Sequence, residues 1–273
     1  MAHFADRLAA AVERKGAPLC VGVDPDPALM PAGVGVVEFC RGIVDAVADV
    51  AVAVKPQAAF FEALGAAGWA ALVDVCGYAR EVGLLVIADA KRGDVPSTAR
   101  AYAAAFAPLA DAVTVNPYLG YDSLEPFFAH DGLGVLPILK TSNRGSEDLQ
   151  DRPLADGRPF WQHVASLIDR WGADYVGASG LSSVGAVVGA THPDVLETAR
   201  SLMPRAVLLL PGVGAQGGRP ERLGAAFAAG PGSALVSASR SVIYADRGAD
   251  WQDAAAAEAV RLADELRSVA VAG

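Results

Sequence analysis

The segment Asp89-Ala90-Lys91-Arg92-Gly93-Asp94 carries the most chemically pointed residues of the chain. It follows the apolar run Leu84–Ala88, so Asp89 and Lys91 extend a strand. Residues two apart on a strand face the same side. Lys55 follows another apolar run, Val50–Val54, and can reach them if the two strands are neighbours. The product is an alternation of ammonium and carboxylate groups, which keep one another ionised. Such an array can hold a protonated lysine beside a reacting carbon. The same residues could form a structural salt-bridge network instead. Charges adjoining buried strands need partners in either case, and perturbed charges cluster at functional sites.

A second cluster suits an anion. Pro211-Gly212-Val213-Gly214-Ala215-Gln216-Gly217-Gly218 follows a late apolar run, and Arg240 follows the next one. Glycines let backbone N–H groups approach a phosphate, and an arginine adds a bidentate cation. Gly212-x-Gly214-x-x-Gly217 also fits the dinucleotide fingerprint, a weak match alone. It lies late in the chain, and the following strand ends in Ser239 and Arg240, not in an acid. A phosphate monoester is the better ligand.

These groups need elements to place them. Strand-like runs recur at Leu19–Val23, Val50–Val54, Leu84–Ala88, Ala112–Val115, Gly134–Leu139, Tyr175–Ala178, Val207–Leu210 and Ala234–Ser237. Most are continuously apolar, as parallel strands covered on both faces should be. Helical patterns lie between them, at Gly35–Asp49, Trp69–Glu81, Thr98–Ala107, Phe160–Trp171 and Glu221–Ala229. A last helix over Asp253–Val269 sets Val260, Leu262 and Leu266 against Glu258, Arg261 and Asp264. Alternation of this kind predicts an α/β fold, a (β/α)8 TIM barrel spanning 1–273 as a single domain. In that fold chemistry gathers at the carboxyl ends of the strands. Those ends here are Asp24, Lys55, Asp89, Asn116, Lys140-Thr141-Ser142, Ser179, Gly212 and Ser239-Arg240. Asn116 and Ser179 are explained as well by ordinary loop starts. The stretch Thr141–Arg158, rich in Gly, Asp, Arg and Pro, predicts a long loop of the kind that forms lids.

Composition narrows the function. The 273 residues carry 22 Lys+Arg and 31 Asp+Glu, a net charge of −9, which disfavours a general nucleic-acid binder. An apolar share of 53% excludes a disordered chain. No run reaches the ~20 residues of a membrane span, and the N-terminal residues lack the pattern of a signal peptide. Cys20, Cys40 and Cys76 form no CxxC and predict buried, reduced thiols in a cytoplasmic protein. His3, His130, His163 and His192 show no zinc spacing. No metal or cofactor motif is visible, and a homo-oligomer is compatible with the apolar excess.

These motifs together resemble the orotidine 5'-phosphate decarboxylase family, in its type 2 bacterial subgroup. The carrying pieces are Leu19–Asp26, Val54-Lys55-Pro56-Gln57, Asp89–Pro96, Val115–Asp122, Lys140-Thr141-Ser142-Asn143, Pro211–Gly218 and Ser239-Arg240-Ser241, in the family's order. Lys140 stands where many relatives carry arginine. The resemblance implies decarboxylation of orotidine 5'-phosphate to UMP and CO2 in pyrimidine synthesis, without a cofactor. It implies Lys91 as proton donor to C6, Asp89 beside the substrate carboxylate, and Lys55 holding Asp89 and the ribose. Asp24 would bind ribose hydroxyls, Ser142 the pyrimidine ring, and Gly212, Gln216 and Arg240 the phosphate. Asp94 and Thr98 would reach the site of a partner subunit in a homodimer. Two rivals differ in one feature each. A magnesium-dependent sugar-phosphate enzyme of the same wider group needs an acidic ligand where Lys55 stands. A non-catalytic nucleotide-binding barrel would need the phosphate loop but not the Lys/Asp array.

Overall fold

A computed structural model of the chain describes residues 2–191, 193–214 and 217–272. Its strands are β1 (Leu19–Val23), β2 (Ala53–Pro56), β3 (Leu85–Arg92), β4 (Ala112–Val115), β5 (Gly134–Lys140), β6 (Ser182–Val188), β7 (Ala206–Pro211) and β8 (Ala234–Ala238). All neighbours are parallel and follow chain order, and β8 closes on β1. The architecture is the expected TIM barrel. The helices are α1 (Phe4–Lys15), α2 (Val36–Val47), α3 (Ala58–Glu62), α4 (Gly65–Glu81), α5 (Pro96–Phe106), α6 (Glu125–Phe128), α7 (Phe160–Trp171), α8 (Pro193–Leu202), α9 (Arg240–Ile243) and α10 (Trp251–Ala272).

Strand side chains alternate between two apolar layers. Outward residues such as Val54, Val86, Val113 and Val135 pack under the helices. Inward residues such as Ala53, Ile87, Ala112 and Leu136 fill the barrel's lower half together with Phe4, Leu8 and Val12 of α1. Helix α1 therefore plugs the amino-terminal end. Arg7 pairs with Asp111 there and donates to the Gly132 carbonyl at 2.8 Å. With one end packed, only the carboxyl end stays open for a ligand. Cys20, Cys40 and Cys76 are free and buried, and no helix among the described residues is long and apolar enough to cross a membrane.

Four expectations are corrected. The sixth strand is Ser182–Val188, not Tyr175–Ala178. The earlier segment turns at the barrel bottom, where Asp6 accepts from the N–H groups of Ala178 and Ser179. Strand β2 lies later than Val50–Val54, so Lys55 belongs to the strand itself. Glu221–Ala229 is not one α-helix but two 3-10 turns, Pro220–Arg222 and Gly224–Phe227. On α10 the buried stripe is Ala255, Ala259, Leu262, Ala263 and Leu266, while Val260 is 45% exposed.

Candidate active site

The open end of the barrel holds a cavity of about 250 Å³. Lys55, Lys91, Lys140 and Arg240 line it, against the carboxylates of Asp24 and Asp89. A chain of net charge −9 thus gathers four cationic side chains around one cavity.

The array expected from the sequence is assembled. Strands β2 and β3 are adjacent, and Lys55 donates to Asp89 Oδ2 at 2.8 Å. Lys91 donates to Asp89 Oδ1 from the other side. Asp89 and Lys55 are buried, whereas the Lys91 side chain is 40% exposed and reaches into the cavity. Burial alone would raise the Asp89 carboxyl. The ammonium groups of Lys55 and Lys91 outweigh it and hold Asp89 far below the ordinary carboxylate value. Burial alone would lower Lys55, yet Asp89 and Asp24 hold it above the ordinary lysine value. Both groups are charged throughout the neutral range.

Two further residues grip Asp89. Gln57 Nε2 donates to Oδ2 at 3.0 Å, and the Thr114 hydroxyl donates to Oδ1 at 2.8 Å. Sequence reasoning assigned neither a role. Gln57 is a neutral residue following Lys55-Pro56, and Thr114 looks like any β-former in a strand.

Asp24 lies just past β1. Its Oδ2 accepts from Ser239 Oγ at 2.5 Å, while its Oδ1 is buried without a partner. A buried carboxylate oxygen without a donor is costly, so Oδ1 is suited to a ligand hydroxyl. Gly22 makes the approach feasible, because a Cβ there would stand 2.7 Å from that of Ser239. Tyr244 braces the turn. Its hydroxyl donates to the Asp24 carbonyl at 2.8 Å and accepts from Asp26 N at 2.7 Å. Burial pushes that phenol up to about 12, so it remains a donor. Nothing in the sequence around Tyr244 marks it for this role.

The described glycine-segment residues, 212–214 and 217–218, belong to no helix, and the next helical turn is the 3-10 turn at Pro220, against the helix that the dinucleotide reading needs. Gly212, Gly214 and Gly217 have φ of 106°, 79° and 83°, a region that side chains strain to occupy. Gly212 and Arg240 both line the cavity. Gln216 lies outside the described residues.

Opposite stand Lys140, Thr141 and Ser142, also on the cavity wall. The Thr141–Arg158 segment is a folded-back loop. Buried Lys140 donates to Asp151 Oδ2 at 2.7 Å and to Ser146 Oγ at 3.3 Å. Thr141 N donates to Gln150 Oε1 at 2.9 Å. Asp94 and Thr98 are half-buried and absent from the cavity lining. Asp94 Oδ1 accepts from Val95 N at 2.8 Å. Asn116 caps a 3-10 turn by accepting from Tyr118 N at 3.0 Å. Ser179 lies at the opposite end of the barrel, against Asp6. For these two the loop-start reading holds. Among the described residues no three His, Cys, Asp or Glu side chains stand together as metal ligands.

Comparisons with known proteins identify the family. The family model of the orotidine 5'-phosphate decarboxylase / HUMPS family matches residues 17–258. The chain is 46% identical to orotidine 5'-phosphate decarboxylase of Roseiflexus sp. (strain RS-1), covering 98% of this chain and 99% of that one. It is 45% identical to the enzyme of that name from Haloarcula marismortui, covering 89% and 87%. The solved structure of Leishmania donovani OMP decarboxylase superposes with a TM-score of 0.83 at 35% identity, covering 98% of this chain and 99% of that one. The chain therefore belongs to the orotidine 5'-phosphate decarboxylase / HUMPS family, as an enzyme of the decarboxylase type.

Proposed function

We propose that the chain converts orotidine 5'-phosphate to UMP and CO2 with side chains alone, and that Lys91 supplies the proton. The observation that carries this reading is the Asp89 carboxylate held between Lys55 and Lys91 at the open end of the barrel. Breaking the C6–carboxylate bond leaves the electron pair on C6, in the plane of the pyrimidine ring. No ring position can delocalise it. A fixed ammonium at that point stabilises the charge as it develops, which is commonly the largest catalytic contribution. Lys91 Nζ then transfers its proton to C6 and recovers one from solvent. Asp89, next to the departing carboxylate, holds Lys91 Nζ in place through their ion pair.

The rest of the cavity fits the rest of the substrate. Asp24 Oδ1 accepts from a ribose hydroxyl, and Lys55 reaches the same sugar. Ser142 faces the base. Arg240 and the N–H groups of the Gly212 loop take the phosphate, with Gln216 completing the grip. Phosphate contacts are remote from C6, so their energy can close the loops over the reacting centre. Asp94 and Thr98 line no part of this cavity, and they complete the site of a partner subunit in a homodimer. Val95 (52% exposed), Tyr118 (68%) and Leu119 (44%) supply apolar surface for that contact.

Lys55 separates this reading from the magnesium-dependent one, since an ammonium at the end of β2 repels a divalent cation. The test is loss of orotidine 5'-phosphate absorbance on adding EDTA-treated protein, with UMP identified as product. Turnover without added metal is the expected result. Turnover that returns only with magnesium, or acts only on a sugar phosphate, would overturn it.

A further inference from the structure

We propose that Thr114 is a positioning residue for the reaction, because its one hydroxyl fixes both the Asp89 carboxylate and the strained backbone of Lys91. The inference rests on the reading of Asp89 and Lys91 as the catalytic pair. Thr114 is fully buried on β4 and does not line the cavity. It shares the inward face with Ala112, two residues earlier. Valine would fill that place equally well. A buried hydroxyl costs free energy unless it is bonded, and this one is bonded twice. It donates to Asp89 Oδ1 at 2.8 Å and accepts from Lys91 N–H at 3.0 Å. A hydroxyl carries one proton and accepting lone pairs, so the two bonds use it in opposite senses.

The second bond explains an irregular backbone. Strand β3 pairs regularly with β4 at Ile87–Ala112 and Ala88–Val113, then shifts register, so that Arg92 meets Val115. The extra length lies at residues 89–91, a bulge of the kind that re-aims a side chain near an active site. Lys91 has φ 49°, the one positive value of a non-glycine among the described residues. The bulge carries its N–H away from the strand ladder, and Thr114 Oγ1 receives it. That hydroxyl links the bend of β3 to the angle of the carboxylate that holds Lys91 Nζ. Thr114 touches no reacting atom, so its effect runs through Asp89 and Lys91.

The test compares Thr114→Val and Thr114→Ser with wild type. Thr114→Val keeps the shape and removes both bonds, and Thr114→Ser keeps the hydroxyl. We expect Thr114→Val to lower kcat about 100-fold, the scale for a misplaced catalytic group, with KM and the Kd for UMP close to wild type. Thr114→Ser should restore most of kcat. Amide hydrogen exchange at Lys91 should speed up in Thr114→Val and not in Thr114→Ser. Thr114→Ala removes the hydroxyl without added bulk and serves if Thr114→Val does not fold. Wild-type-like kcat in Thr114→Val overturns the inference, as does equal loss in Thr114→Ser, or failure of both Thr114→Val and Thr114→Ala to fold. A wild-type protein inactive on orotidine 5'-phosphate overturns the proposed function itself.

Discussion

At the scale of residues, the site depends on one buried carboxylate with four donors. Lys55 and Gln57 hold Asp89 Oδ2, and Lys91 and Thr114 hold Oδ1. Removing one partner of a buried ion pair strands the other, at a typical cost of about 3 kcal/mol. Lys55→Met should lose about that much stability in denaturant unfolding, since Lys55 and Asp89 are both nearly buried. The pH dependence follows from the directions of the shifts. The Asp89 carboxyl is depressed in the fold, so its contribution is full above 3.8 and is lost as pH falls toward its folded value. Lys55 is raised, so its contribution is full below 10.5 and is lost as pH rises toward its folded value. The stability gap between wild type and Lys55→Met should stay flat between those limits and narrow below 3.8. The charged residues were legible because Lys55, Asp89 and Lys91 interrupt apolar runs. Thr114 and Gln57 were not, since a neutral side chain beside a strand announces no partner.

At the scale of elements, the barrel was readable because doubly covered parallel strands leave unbroken apolar runs, as Val207–Leu210 does. Strand β6 escaped because it opens with Ser182-Ser183 and contains Gly185, which read as loop chemistry. The segment Tyr175–Ala178 looks more strand-like, yet Asp6 accepts from the N–H groups of Ala178 and of Ser179 just after it and holds the chain in a turn. Local pattern gave way there to a contact from the far end of the chain. Arg200 shows the same effect in a helix. Its buried guanidinium has no carboxylate partner among the described residues. It donates instead to the carbonyls of Met203, Ala206, Ala226 and Ser233 at 2.7–3.0 Å. That ties the end of α8 to the start of β7 and to the segment before β8. Burial pulls the group down to about 10, which leaves it charged at neutral pH. Arg200→Met should cost about 3 kcal/mol in thermal or denaturant unfolding by leaving those acceptors unpaired. KM for orotidine 5'-phosphate should not change, because Arg200 lies outside the cavity.

At the scale of the whole molecule, an acidic chain concentrates cations at one end of a barrel whose other end is plugged by α1. Net charge alone would miss this, and only the closed sheet brings Lys55, Lys91 and Arg240 to one mouth. Asp94 and Thr98 lie outside the cavity of their own chain. Their motif was legible, but the cavity they serve in the proposal belongs to a second copy. Mixing Lys91→Ala with Asp94→Ala protein, each inactive alone, should give mixed dimers with one intact site. Random exchange of a two-fold dimer should restore about a quarter of wild-type activity. Confirmed mixed dimers without activity would show that the sites are not shared. If Lys91 provides both the fixed charge and the proton, turnover of orotidine 5'-phosphate by Lys91→Ala shows it most directly. The expected variant is folded, still binds UMP and has lost at least about 1,000-fold in kcat. Turnover near that of wild type would mean that Lys91 is not the proton donor.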